Sequence, residues 1–218
     1  MNNEFDRKSG LWDTSWRVRR AGMIAEAIAK ELDDERYRDA LEFGCGTGLI
    51  SLSLPRKFRS LTLMDSSAGM LAELSKKKEV LTAGYMKPVL CDLTRSEDPG
   101  HFDCIYSSMV MHHIADTQNI INRFYSILNE NGKLCIVDLD EEDGTFHKGD
   151  MDFQGHNGFS RENMVLYFAN AGFADVKIET CYTGEKVVVD EMVRYSLFLI
   201  SGTRRSETAG NNKQISGV

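Results

Sequence analysis

The chain has 218 residues, 42% of them hydrophobic and 27% charged, which suits one α/β domain of ordinary size with a sizeable buried core. A formal net charge of -7 argues against a general nucleic-acid binder, because phosphate contacts need a basic stripe. The polar start "MNNEFDRKSG" lacks the apolar core of a signal peptide, and no apolar run approaches the roughly 18 residues needed to span a membrane. The five cysteines, Cys45, Cys91, Cys104, Cys135 and Cys181, lie far apart with no C-x-x-C pair, so no metal site is expected. Cys91, Cys104 and Cys135 sit inside apolar runs and read as small core residues. The expectation is a reduced, cytoplasmic protein without membrane insertion.

Residues 1–16 carry Trp12 and Trp16 in an otherwise polar segment. "RVRRAGMIAEAIAKEL" then places Val18, Ala21, Ile24, Ala25, Ile28 and Leu32 at helical spacing. "ALEF" is a short strand ending at Gly44, and "TGLISLSLPRKF" a helix stopped near Pro55. "SLTLMD" is a second strand ending at Asp65. It leads into a helix, "SSAGMLAELSKKKEV", that Ser66 or Ser67 can cap. "KPVLCDL" and "FDCIYSSMV" are the third and fourth strands. "TQNIINRFYSILNENG" is a helix that Asn131-Gly132 ends, since both residues tolerate positive φ. "KLCIVDLD" is a fifth strand, and "SRENMVLYFANAG" a helix opened by Ser160 with Asn163 in an imperfect capping box. "ADVKIETCYT" and "RYSLFLISGTR" are two more strands, joined too closely for a crossover helix and so paired antiparallel.

This alternation implies a parallel sheet with helices on both faces. The long irregular stretch from Glu141 to Phe159 is expected to be a functional loop. Residues 1–20 are expected to form an N-terminal lid, 21–205 the main domain, and 206–218 ("SETAGNNKQISGV") a disordered polar tail.

Between the first strand and its helix stand three alternate glycines, Gly44, Gly46 and Gly48. Glycines there let backbone approach a ligand at a helix N-terminus. The dinucleotide pattern G-x-G-x-x-G fails at Leu49, and no Gly-Lys-Ser/Thr follows, so the turn is G-x-G-x-G. A tight strand-helix turn with no ligand would also explain it. Asp65 and Asp92 change the balance, because they end the second and third strands at the same carboxyl edge where open α/β sheets bind ligands. Asp65 can accept from both hydroxyls of a ribose, Asp92 from an exocyclic amino group, and Glu42 can face a ligand ammonium.

"LEFGCGTGLIS", "LTLMDSSAGML", "VLCDL", "FDCIYSSMVMHHI" and "LNENGKLCIVDLD" resemble, in order, the signature segments of class I S-adenosylmethionine-dependent methyltransferases, in the small-molecule group that includes the ubiquinone/menaquinone type. The resemblance implies a Rossmann-like, doubly wound, seven-stranded sheet, mostly parallel, with an antiparallel last strand inserted beside the fifth. It implies S-adenosylmethionine as methyl donor and S-adenosylhomocysteine as product. Gly44, Gly46 and Gly48, with Cys45 and Thr47 between them, would make room for the methionine part. Asp65 would hold the ribose, and Asp92 with the backbone of Leu93 would read the adenine. Ser66 and Met70 would pack near ribose and adenine, and Ser108 would line the methionine end.

Should the acceptor have to lose a proton, imidazole is the usual base. His113 and His156 are the candidates. His112 and His113 follow the fourth strand, where one member of such a pair commonly packs structurally. His156, in "QGHNGFS", is expected to face the acceptor, while His147 defaults to solvated surface. In resembling enzymes the N-terminal segment closes over the cofactor, and an aromatic there can lie near the sulfonium. Arg17, Arg19 and Arg20 can meet an acidic substrate or the cofactor carboxylate, although a solvated helix face is the commoner reason for such residues. The rival classes are a non-catalytic cofactor-binding protein on the same fold and a nicotinamide-dependent oxidoreductase. The N-P-P-Y-type signature expected of amino-group methylation on nucleic acids or protein amides is absent, since the fourth strand continues "YSSMV"; with the acidic charge this argues against DNA or RNA as substrate and favours a small-molecule acceptor.

Overall fold

The computed structural model describes residues 4–32, 35–55, 58–95, 99–150 and 153–206. The expected tail from 207 onward therefore lies outside the described residues. Seven strands form one sheet: β1 (Asp39–Phe43), β2 (Ser60–Asp65), β3 (Met86–Leu90), β4 (Phe102–Ser108), β5 (Leu128–Leu139), β6 (Ala174–Val188) and β7 (Glu191–Thr203). Their order is β3-β2-β1-β4-β5-β7-β6, with β1 to β5 parallel and β7 antiparallel to both β5 and β6. The expected insertion of the last strand beside the fifth is thus present. The order reverses between β1 and β4, so the carboxyl ends of these strands open a crevice.

The helices are α1 (Glu4–Lys8), α2 (Ser15–Glu31), α3 (Leu49–Ser53), α4 (Ala68–Leu74), α5 (Lys78–Ala83), α6 (Thr117–Ile127) and α7 (Arg161–Ala171). Strand alternation divides the core in two. Cys104, Tyr106, Cys135 and Val137 face one side with Ile24 and Ile28 of α2. Ile105, Leu134 and Ile136 face the other with Ile120 and Phe124 of α6 and Phe168 of α7. Covering both faces of the sheet is what makes the central strands read as near-continuous apolar runs. At about 1.5–3 kcal/mol per fully buried large apolar side chain, these two layers provide the main driving force for the fold.

The structure redraws several element boundaries. The expected helix over residues 66–80 is two pieces, α4 and α5; Ser67, not Ser66, caps α4 by accepting from the Met70 N–H. Helix α6 stops at Ile127, and Asn131-Gly132 lies inside β5, where Asn131 takes φ 61° and its N–H donates to the Arg204 carbonyl. The last hairpin is longer than its apolar pattern: β6 and β7 run out to a two-residue turn, Val189-Asp190, both with positive φ. Helix α2 crosses the expected boundary at residues 20/21, so the segment that precedes the domain ends before Ser15.

Candidate active site

A cavity of about 710 Å³ opens at the carboxyl edge of the sheet, above β1, β2 and β4. The chain reverses there through the glycine turn, and the three glycines do different things. A side chain at Gly44 would strike Val110, with 2.3 Å to its nearest atom, and one at Gly48 would strike Leu74 at 2.4 Å. Both positions also have positive φ. At Gly46 the same direction is open, with only the Trp12 ring nitrogen at 4.0 Å. Gly44 and Gly46 line the cavity and Gly48 does not. The expectation that all three glycines make room for a ligand is therefore corrected for Gly48, which makes room for Leu74.

One stretch of the cavity wall is acidic. Asp65 leaves β2 with Oδ2 accepting from the Gly46 N–H at 2.7 Å and Oδ1 from the Ser67 N–H at 2.8 Å. Burial raises its carboxyl above the usual range, against those backbone N–H groups, which lower it. It thereby ties the glycine turn to the start of α4 while also lining the cavity. Asp92, which accepts from the Thr94 hydroxyl at 2.5 Å, lies beside Leu93 on the same wall. Ser66 and Met70 complete this side, and Cys45, Thr47 and Ser108 line the cavity nearer β1 and β4.

Glu42 is 2% exposed, yet it borders the cavity. The Ser51 hydroxyl donates to its carboxylate and lies 2.8 Å from the Tyr106 hydroxyl. Burial pushes the Glu42 carboxyl up to about 8 even with the Ser51 bond pulling down, and Asp65 adds to the rise. At neutral pH the group is protonated and ready to ionise if a cation arrives.

The N-terminal segment roofs the cavity with Phe5 and Trp12, whose rings meet edge to face at 5.8 Å. Two aspartates pin it down. Asp6 Oδ1 accepts from the Ser67 hydroxyl at 2.6 Å and the Gly69 N–H at 2.8 Å, at the open end of α4. Asp13 accepts from the Thr47 hydroxyl at 2.5 Å and pairs with Lys77 at 2.7 Å. Neither aspartate carries a sequence signal, since each partner lies more than thirty residues away.

The two candidate bases separate. His113 lines the cavity and packs edge to face on Phe5 at 5.1 Å. The residue keeps exposed surface, yet desolvation of the ring, then His112 and His147, pull the imidazole down to about 3. His156 is not part of the cavity wall. Its N–H donates to the His112 carbonyl at 2.7 Å, and its ring Nε2 lies 3.0 Å from the Ile114 carbonyl, so it clamps the turn after β4. The expectation of an acceptor-facing His156 is corrected accordingly: the ring's position is set by carbonyls of a tight turn that no periodicity reveals.

His112 is the structural member of the pair. It is buried, with Nδ1 at 2.5 Å from Asp138 Oδ1. Burial alone would raise the Asp138 carboxyl, but the charge and hydrogen bond of His112 hold it below the usual range. His147 is not solvated surface either: it stacks on Phe153 at 3.7 Å and 8° and backs His113 at 5.9 Å. None of the described residues of the 141–159 loop lines the cavity; His147 and Phe153 of this loop pack on His112 and His113.

Another stretch of the cavity wall is basic. Arg17 and Arg20 of α2 line it, with Ala21 and Ile24 one turn further on. Of the three arginines that the sequence allowed either to meet an acidic group or to form a solvated helix face, Arg17 and Arg20 line the cavity and Arg19 is exposed. The available signal was three arginines at a helix start with no acid in the first turn, against the dipole preference.

Among the described residues no group of three or more His, Cys, Asp or Glu is placed to hold a metal ion, and no helix is long and apolar enough to cross a membrane. All five cysteines are free thiols, and Cys91, Cys104 and Cys135 are buried as expected.

A family model described as a methyltransferase domain matches residues 16–178. An uncharacterised methyltransferase of Schizosaccharomyces pombe is 27% identical over 153 residues, covering 63% of this chain and 54% of that protein. Malonyl-[acyl-carrier protein] O-methyltransferase of Magnetococcus marinus is 33% identical over 125 residues, covering 55% and 46%. The chain thus spans about half the length of these curated relatives. The solved structure of Haemonchus contortus phosphoethanolamine N-methyltransferase 2, in complex with phosphomonomethylethanolamine and S-adenosylhomocysteine, superposes with a TM-score of 0.68 over 84% of this chain and 52% of that one; at 17% identity this is a likeness of fold. The chain, matched over residues 16–178 and carrying the sheet order β3-β2-β1-β4-β5-β7-β6, belongs to the methyltransferase-domain family.

Proposed function

We propose that this chain transfers a methyl group from S-adenosylmethionine to a small-molecule acceptor. The observation that carries the reading is one cavity whose acidic wall, Asp65, Asp92 and Glu42, stands beside a glycine turn with an open position at Gly46. The residues fit the cofactor: Asp65 and Asp92 keep carboxylate oxygens on the wall for ribose hydroxyls and an adenine amine, and the protonated Glu42 can ionise opposite an ammonium. Bound there, S-adenosylmethionine supplies an electrophilic methyl carbon, so the protein's task is to orient and to exclude water. Positioning alone can supply up to roughly 7–11 kcal/mol of the barrier.

Phe5 and Trp12 close the cavity from above and give a roof of aromatic faces suited to a sulfonium. The segment before Ser15 acts as the lid, held by Asp6 and Asp13. His113 stands on the acceptor side. As a neutral imidazole it accepts a hydrogen bond from the attacking group, but a ring pulled down to about 3 holds a proton poorly. The arrangement therefore suits acceptors whose proton is acidic or absent more than those needing a strong base.

Calorimetry tests the reading directly. S-adenosylhomocysteine should bind with micromolar affinity and NAD should not, and incubation with S-adenosylmethionine and metabolite extracts should yield methylated products by mass spectrometry. Micromolar binding of NAD with no response to either sulfur compound would sink it in favour of an oxidoreductase. Tight cofactor binding without any product would favour a non-catalytic role.

A further inference from the structure

The acidic residues leave another stretch of the same cavity wall unexplained. Helix α2 begins with Arg17, Arg19 and Arg20 and has no acidic residue in its first turn. Peptide N–H groups already make that end of a helix positive, so cations there are unfavourable. Arg17 and Arg20 are nonetheless turned into the cavity wall, half-buried, while Arg19 is exposed. Among the described residues no carboxylate pairs with Arg17 or Arg20 within 4.0 Å. Asp13 attracts Arg17 at longer range, but its carboxylate is already paired with Lys77.

The two guanidinium groups are fixed by aromatic faces. Arg17 lies over Trp12 at 4.1 Å and Trp16 at 5.0 Å, and Arg20 over Trp16 at 4.9 Å. Arg17 Nη1 donates to the Trp12 carbonyl at 3.1 Å, and Arg20 Nη1 donates to the Tyr195 hydroxyl at 3.4 Å. Stacking of this kind leaves the in-plane N–H fork available and orders it before a ligand arrives. Lys186 adds a third cation nearby, with its ammonium 3.4 Å above the Phe146 ring. Burial, Arg20 and Arg17 pull it down to about 8; Glu142 and Asp150 oppose them. A protein of net charge -7 thus sets two aromatic-stacked arginines, with Arg123 besides, in the wall of one cavity, while Lys186 stands outside that wall.

We propose that Arg17 and Arg20 form an anion subsite for the methyl acceptor, so that the acceptor carries a carboxylate or a phosphate group. The proposal rests on the methyltransferase reading. A planar fork recognises either anion through paired N–H bonds, and a bound anion would relieve the repulsion between the two arginines. It would also lie in the cavity that His113 borders, so the acceptor's reacting atom and its charge are held by different walls. The cofactor's own carboxylate has the same chemistry, and the experiment must separate the two sources.

The test uses Arg17→Gln, Arg20→Gln and the double variant, each with and without saturating S-adenosylhomocysteine. Benzoate and phenyl phosphate are titrated against methyl benzoate and phenol. The wild type loaded with S-adenosylhomocysteine should bind the two anions at least tenfold more tightly than their neutral counterparts. The variants should lose that preference, while their affinity for S-adenosylhomocysteine stays within twofold, which also reports that they are folded. A tenfold loss of S-adenosylhomocysteine affinity with the anion preference intact would assign the arginines to the cofactor and overturn the proposal. So would equal binding of charged and neutral compounds by the wild type. Failure of S-adenosylhomocysteine to bind at all strikes the methyltransferase reading, and the titrations of the free protein then still decide the anion question.

Discussion

The acidic and the basic parts of the cavity wall are built by opposite means. The acidic part is made by strand ends: Asp65 closes β2, Asp92 follows β3, and Glu42 lies within β1, so the sheet itself sets their spacing. The basic part is made by a helix and a hairpin that come from opposite parts of the chain, since Arg20 of α2 meets Tyr195 of β7. The first part is local in sequence order and stiff, as expected of a general cofactor site. The second is assembled from distant pieces and can vary without disturbing the sheet, as expected of a site for one acceptor.

The sharpest way to break the acidic part is Asp65→Ala. It removes a charged hydrogen-bond acceptor, and S-adenosylhomocysteine binding should weaken by about 1.5–3 kcal/mol, readable by calorimetry. Anion binding at the arginines should be nearly unchanged. An unaltered cofactor affinity in a folded variant would mean that Asp65 only ties the glycine turn to α4, through the bonds it makes to Gly46 and Ser67.

A smaller effect, spread over both parts, is expected for Asp6→Ala. Asp6 does not line the cavity but satisfies the Gly69 N–H and the Ser67 hydroxyl, as a cap does, and its charge helps raise the Asp65 carboxyl. Its loss should cost about 1 kcal/mol of lid closure. Cofactor and anion affinities should fall together, by about fivefold, and limited proteolysis before Ser15 should speed up. A loss confined to one part would show that the segment belongs to that site and is not a lid over both.

The smallest effect sharpens the electrostatics. Glu42 is held near 8, so it is largely protonated at pH 7. An ammonium placed beside it favours the ionised form, and cofactor binding should then release a fraction of a proton. By linkage, affinity should rise with pH up to about 8 and level off above it. Calorimetry at pH 7 in two buffers of different ionisation enthalpy reads the proton directly, and Glu42→Gln should abolish the release. Proton uptake on binding would place the ammonium elsewhere.

Much of this site was legible in the sequence where one short stretch carries both the element and the chemistry. Asp65 closes an apolar strand and precedes a capped helix, and the glycine turn sits between strand and helix. The roles of individual glycines were not legible, because Gly44 and Gly48 are held by Val110 and Leu74, residues of other elements. His156 and His113 look alike in sequence, yet one clamps a turn and the other borders the cavity. For Arg17 and Arg20 a solvated face and an acidic ligand both stayed open, because helix periodicity marks the core face and says nothing of what covers the helix start.

By itself the sequence determined the alternating α/β architecture, the carboxyl-edge location of the site and its acidic residues. Each of these follows from local apolar periodicity and from the residue type at a strand end. Only the tertiary structure decided which side chains the N-terminal segment brings over the cavity, which histidine meets it, and that the start of α2 faces inward. Those outcomes depend on contacts between residues far apart in the chain, such as Asp6 with Gly69 and Arg20 with Tyr195, whose energies are set by packing geometry that no local pattern encodes.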